Sequence, residues 1–129
     1  DRVTLYGKVQ PSDLYQHVRN WDAAIIPFRS GKLSEAVDPI KIYEYLYFGL
    51  PVIVKGISHL KKLPRVQVVT DEIQFLQALA KLKEEVLIQP ASSESSISQD
   101  VAQVLAESTW EHRFSDLLRI LETEAWMSL

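Results

Sequence analysis

The sequence has no cysteine, which excludes disulfides, a thiol nucleophile and any cysteine-built metal site. A reducing compartment is compatible with that absence. No apolar run approaches the roughly 20 residues that a membrane-spanning helix needs. No leader pattern opens the chain, which begins Asp1-Arg-Val-Thr-Leu and already reads as a strand. Charge of one sign is scarce too. Fourteen Lys and Arg against seventeen Asp and Glu leave a formal charge of −3, too mild to recruit nucleic acid by its overall field. There is no Gly-rich dinucleotide loop, no P-loop, no His pair at metal spacing and no Gly-x-Ser-x-Gly. His17, His59 and His112 are scattered and read as surface or helix residues. The sequence therefore indicates no metal ligands.

At 129 residues and 47% hydrophobic, the chain is one domain with enough apolar surface for a core. Val3 to Tyr6 reads as a strand ended by Gly7. A helix follows from Pro11-Ser-Asp, with Ser12 as cap and Leu14, Val18 and Trp21 facing inward. Ala23 to Ile26 is a short apolar run, the pattern of a strand buried on both faces, and Pro27 is expected to stop it. Val52 to Val54 and Val66 to Val69 read as two further strands. Thr70 is expected to cap a helix from Asp71 to about Glu85, burying Ile73, Leu76, Leu79, Ala80 and Leu82. A Ser-rich loop at 90–96 leads to a helix from Ile97 to about Glu107. The last helix opens on Ser108-Thr-Trp-Glu111 as a capping box, with Trp110, Phe114, Leu117, Leu118 and Leu121 in one stripe.

Strands alternating with helices imply an α/β fold, a Rossmann-like and mostly parallel sheet flanked by helices. Four short strands make a small sheet, and the abrupt opening suggests a partial domain whose first strands lie upstream.

The stretch Asp38-Pro-Ile-Lys-Ile-Tyr-Glu-Tyr-Leu-Tyr-Phe-Gly49 organises the rest. Asp38 suits a helix N-cap, Pro39 the first helical position, and Gly49 with Pro51 the stop. Ile40, Tyr43 and Tyr47 form one apolar stripe and Ile42 and Leu46 another, so the helix is expected to be buried on most sides. It nevertheless carries Lys41 and Glu44, three apart on one face. The pair has two readings. One is an intrahelical ion pair. The other is a ligand site, with phosphate at the helix start and a ribose diol roughly 4.5 Å further along the axis at Glu44. The polar loop Arg29 to Val37 lies just past a strand end, where ligands sit in open α/β sheets.

Pro39-x-Lys41-x-Tyr43-Glu44-Tyr45-Leu46-x-x-Gly49-x-Pro51-Val52 resembles the signature of retaining GT-B glycosyltransferases, especially glycosyltransferase family 4. Flanking segments fall in the family's order. Leu5-Tyr-Gly-Lys-Val9 looks like its strand-Gly turn, Asp22-Ala-Ala-Ile-Ile-Pro-Phe28 like its Asp-strand-Pro segment, and Ser108-Thr-Trp-Glu-His-Arg113 like the start of its terminal helix. The resemblance spans about residues 1 to 122; only the central motif is specific.

The resemblance implies the C-terminal, nucleotide-sugar-binding domain of a hexosyltransferase-type enzyme. Glu44 would match the second carboxylate of the family's Glu-x7-Glu motif and hold the donor ribose. Ile40 and Lys41 would match the backbone positions that meet the diphosphate. The first motif Glu would fall at Ala36, with Glu35 and Asp38 as neighbours able to reach the donor sugar. Glu35 is the only catalytic candidate. Arg29 and Lys32 would add positive charge. Pro39 replaces the glycine of many members. The implied reaction is retaining and needs no metal or cofactor beyond a nucleoside diphosphate sugar. The implied partner is an acceptor domain further upstream. A cytoplasmic setting at the inner membrane face and a role in polysaccharide synthesis are family-level expectations. The competing reading is a non-catalytic Rossmann-like module for nucleotide binding or assembly, which the missing carboxylate at position 36 favours.

Overall fold

The structure is a computed structural model that describes residues 3–88 and 97–124. A 3-10 turn at Pro11–Asp13 runs into α1 (Leu14–Val18). Then come β1 (Ala24–Pro27), α2 (Lys32–Glu35), α3 (Ile40–Tyr47) and β2 (Val52–Lys55). A 3-10 turn at Ser58–Lys62 precedes β3 (Val66–Val69), and α4 (Glu72–Ile88), α5 (Gln99–Glu107) and α6 (Trp110–Glu124) complete the order. The strands form one parallel sheet in the order β1-β2-β3, with Ala24, Val52 and Val66 in register. Parallel strands need covered crossovers, and helices pack on both faces, so the fold is α/β and Rossmann-like.

Side chains alternate along each strand and divide the core. Ala24, Ile26, Val52 and Val54 face α1, α3 and α5, and pack with Val18, Ile42, Leu46, Leu60 and Val101. Ile53 and Val69 face α4, against Ala78, Phe75 and Leu82.

Pro27 ends β1 from inside the strand, not beyond it. Ala24 and Phe28 donate their N–H groups to Pro51 and Lys55 on the β2 side, at 2.9 and 3.1 Å. By alternation, Ile25 and Pro27 present their backbone to the open side of β1. A proline there removes no ladder bond.

Several expectations need correction. Val3 to Tyr6 is not a strand; Val3, Leu5 and Tyr6 are exposed. Strand-forming side chains need a paired neighbour as well as propensity, and no described strand lies beside this segment. Trp21 is exposed, because α1 ends at Val18 and only Val18 of that helix is buried. The helix α4 turns by about one position from the expected face. Ile73, Leu76, Leu79 and Ala80 are exposed, while Phe75, Ala78 and Leu82 meet the sheet. Its apolar residues surround the helix, so the small patch of Ile53 and Val69 selects the face. Asp71, not Thr70, caps it: the Gln74 N–H donates to Asp71 Oδ1 at 2.8 Å. At α6 the cap is Thr109, whose Oγ1 accepts from the His112 N–H at 3.2 Å, while Ser108 closes α5. The α6 stripe from Trp110 to Leu121 is exposed. The Ser-rich stretch 90–96 lies outside the described residues.

The largest correction concerns α3, which is buried along one stripe only. Ile42 and Leu46 are fully buried, whereas Ile40 is 67% and Tyr47 63% exposed. A helix lying on one face of a sheet has a single inward stripe, and the rest of its apolar surface stays outside unless a further element covers it. Asp38 does not cap it; Pro39 holds the N-cap position and no side chain accepts there.

Truncating Leu46 to Ala is expected to cost about 2–5 kcal/mol, and Ile40 to Ala within about 0.5 kcal/mol, by urea denaturation. Equal losses would overturn the one-stripe description. Gly56 gives a second test. It has φ +84°, and an added Cβ would lie 2.8 Å from the Phe28 carbonyl oxygen. Gly56→Ala is expected to cost on the order of 2–4 kcal/mol in the same assay.

Candidate functional site

The crossover from β1 to β2 places the N-terminus of α3 at the end of the sheet towards which the strands run. This is the end where open α/β folds bind ligands. The loop from Phe28 to Pro39 spans it. Its root is fixed to β2 by the Phe28 N–H bond to Lys55 and by the close passage of Gly56 under Phe28 and Arg29. Its middle is the single turn α2. Buried Ser34 tightens that turn by donating its hydroxyl to the Gly31 carbonyl at 2.9 Å.

Glu35 leaves α2 and crosses to the segment after β2. Its Oε2 accepts from the Ser58 N–H at 2.9 Å and from the Ser58 hydroxyl at 2.8 Å. These two bonds hold the Glu35 carboxyl below the usual carboxylate range, the hydroxyl first and the N–H second, with His59 adding slightly. Asp38 is engaged elsewhere. The Tyr43 hydroxyl donates to both Asp38 oxygens at 3.0 Å, and Arg113 Nη2 of α6 donates to Asp38 Oδ2 and to the Tyr43 oxygen at 3.0 Å. The Arg113 guanidinium also lies over the Tyr43 ring, 5.4 Å from its centroid. Burial and then the bond to Asp38 push the Tyr43 phenol up; the same carboxylate pushes the guanidinium up further. This cluster ties the last helix to the start of α3.

Lys41 and Glu44 are different. No ion pair joins them, and neither side chain makes a hydrogen bond among the described residues. Lys41 is exposed and Glu44 half-buried. The backbone N–H groups of Ile40 and Lys41 also have no partner among the described residues, because the first bond into α3 comes from Ile42 to Pro39 at 3.0 Å. Arg29 on the preceding loop and Lys32 at the start of α2 are exposed, and their side chains make no hydrogen bonds or ion pairs among the described residues.

Comparison with protein-family models, curated proteins and solved structures returned no match. The site therefore stands on its own geometry.

That geometry brings together one end of α3 with two free amide donors, a lysine beside them and a carboxylate one turn deeper. Such a set can accept an anion at the helix start and hydroxyl donors at Glu44. It separates Glu35 and Asp38 from this set by giving each an internal partner. Among the described residues no three His, Asp or Glu side chains converge to hold a metal ion, and no helix is long and apolar enough to cross a membrane. Sequence reading missed Ser58, because its partner lies 23 residues away and nothing local marks it. It noted Arg113 only as part of a helix start, not as the partner of Asp38.

The lowered Glu35 pKa has a sign that can be checked. Its folded value lies below the unfolded one, so its contribution to stability is present above about pH 4.5 and is lost as pH falls through the folded value. The melting-temperature difference between wild type and Glu35→Gln is expected to be constant from pH 5.5 to 7 and to shrink below pH 4. A difference that grows on acidification would contradict the bond to Ser58.

Proposed function

We propose that the chain is the donor-binding domain of a glycosyltransferase that takes a nucleoside diphosphate sugar and transfers the sugar with retention. The observation that carries this reading is that neither the Lys41 nor the Glu44 side chain has a hydrogen-bond or ion-pair partner among the described residues. The alternative explanation of their spacing was a bond to each other, and that bond is not made. Two polar side chains one turn apart on a helix, neither hydrogen-bonded nor ion-paired among the described residues and both beside N–H groups without partners there, are poised for something outside the chain.

In this proposal the diphosphate lies against the amides of Ile40 and Lys41, with the Lys41 ammonium beside it. Arg29 and Lys32 add positive charge from the loop. The Glu44 carboxylate accepts the two ribose hydroxyls. Catalysis then rests on placing the donor and on stabilising the charge that gathers on the departing diphosphate, which preformed N–H donors and cations do without reorganising. The reaction needs no metal in this scheme. The acceptor site comes from a preceding domain of the parent protein, and we place the parent on the cytoplasmic side, at the inner membrane face. The signature-like run from Pro39 to Val52 supports the same assignment.

One observation favours a second reading, a nucleotide-binding module without transfer activity. Both carboxylates of the loop, Glu35 and Asp38, are bonded within the protein, so neither is free to meet a sugar as they stand. Sugar transfer by the parent protein separates the two readings.

Calorimetric titration with uridine and guanosine diphosphates tests the shared part. Glu44→Gln is expected to weaken binding by about tenfold to a hundredfold, the worth of one or two hydrogen bonds to a charged acceptor, with the melting temperature unchanged. Undiminished affinity would remove Glu44 from the site.

A further inference from the structure

We infer that Glu35 and Ser58 form a positioning pair: a clasp that fixes the loop between β1 and α3 over the strand ends, and with it the mouth of the nucleotide site. This inference rests on the reading that a nucleoside diphosphate lies along the first half of α3.

The loop must carry Arg29 and Lys32 to one side of that site and deliver the chain to Pro39 on the other. Its root is anchored at Phe28, and its far end is anchored where Asp38 meets Tyr43 and Arg113. Between these anchors, the Glu35 carboxylate makes the loop's side-chain bond to the segment after β2. That segment is itself fixed. Gly56 sits against the Phe28 and Arg29 backbone, and buried Ile57 and Leu60 hold Ser58 between them to the core. The clasp therefore joins a short exposed turn to a rigid base.

The chemistry of the contact suits a clasp better than a sugar ligand. One carboxylate oxygen takes both a backbone and a hydroxyl donor at ordinary hydrogen-bond distances, and the charge on the acceptor strengthens both. Binding a sugar through that oxygen would require breaking both. Internal packing tightens the turn that bears it, since Ser34 is buried and bonded to Gly31. Releasing Glu35 frees the whole of α2 and the cations on its approach, so the effect on a ligand is indirect and runs through loop placement.

The test combines calorimetry with uridine diphosphate and amide exchange followed by NMR, on wild type, Glu35→Ala, Ser58→Ala, the double variant and Ser58→Thr. Each alanine variant is expected to weaken binding roughly threefold to tenfold, and the double variant no more than the weaker-binding single. Threonine keeps both donors and is expected to restore wild-type affinity. Without ligand, the Ser58 amide is expected to exchange slowly in wild type and faster in Glu35→Ala. Binding lost in Glu35→Ala but retained in Ser58→Ala would overturn the proposal, because Glu35 would then touch the nucleotide directly. An amide indifferent to Glu35 would show that no clasp exists. Wild-type chain that binds no diphosphate, with the Ser58 amide still protected by Glu35, would overturn the nucleotide reading and the positioning role together. If Glu35→Ala fails to fold, Ser58→Ala and Ser58→Thr carry the comparison alone.

Discussion

The burial of Ile42 and Leu46 against the sheet is the constraint from which the rest follows. Four residues apart, they fix both the axis and the rotation of α3. A step of about 100° per residue then leaves no freedom for the others. Tyr43 and Tyr45 fall on the flanks, half-buried, while Lys41 is exposed and Glu44, opposite the buried stripe, is half-buried. Rotating the helix to hide Ile40 or Tyr47 would withdraw Leu46 from the core, a loss no exposed contact could offset. The exposure of charged and apolar side chains on the outer half is thus the consequence of one well-made contact on the inner half.

The carboxylates around the start of α3 are sorted by the partners within reach. Glu35 meets the donors of Ser58, and Asp38 meets a phenol and a guanidinium. Neither arrangement is deeply buried, and an exposed ion pair such as Asp38 with Arg113 contributes at most about 1 kcal/mol. Their effect is geometric. One ties the loop to the segment after β2 and the other ties α6 to the head of α3, so three separate stretches converge on the same end of the sheet. Glu44 has no such partner among the described residues, and its charge is felt chiefly by Tyr45, whose phenol burial and then that charge push up.

The sequence patterns that survive contact with the structure are the ones that packing reinforces. The runs Ala23 to Ile26, Val52 to Val54 and Val66 to Val69 hold strands because each has a neighbour in register, although the first is buried on one face only, with Ile25 exposed on the other. The run Val3 to Tyr6 has equal propensity and no neighbour. The positions of α3 and α4 were legible from their stops and starts. Their inward faces were not, because apolar residues lie on more sides of each helix than the sheet can cover. Asp38 illustrates the local limit: its position beside Pro39 suggests a cap, yet an arginine 75 residues later offers a stronger partner. Lys41 and Glu44 were legible as a pair, but whether they bond to each other depended on side-chain geometry. The clasp between Glu35 and Ser58 lay beyond any local pattern.

The proline at the end of β1 reaches further than its own strand. Among the described residues β1 is the outer strand on that side, and Ile25 is 48% exposed on its face. A strand added there from another copy would align with backbone groups that look outward only at Ile25 and Pro27. Pro27 has a carbonyl and no N–H, so the visiting strand finds one donor where two would register it. Recruitment of a foreign strand is thereby handicapped along this edge of the described sheet. The residue that costs the molecule nothing on its own side makes the edge a poor template for self-association.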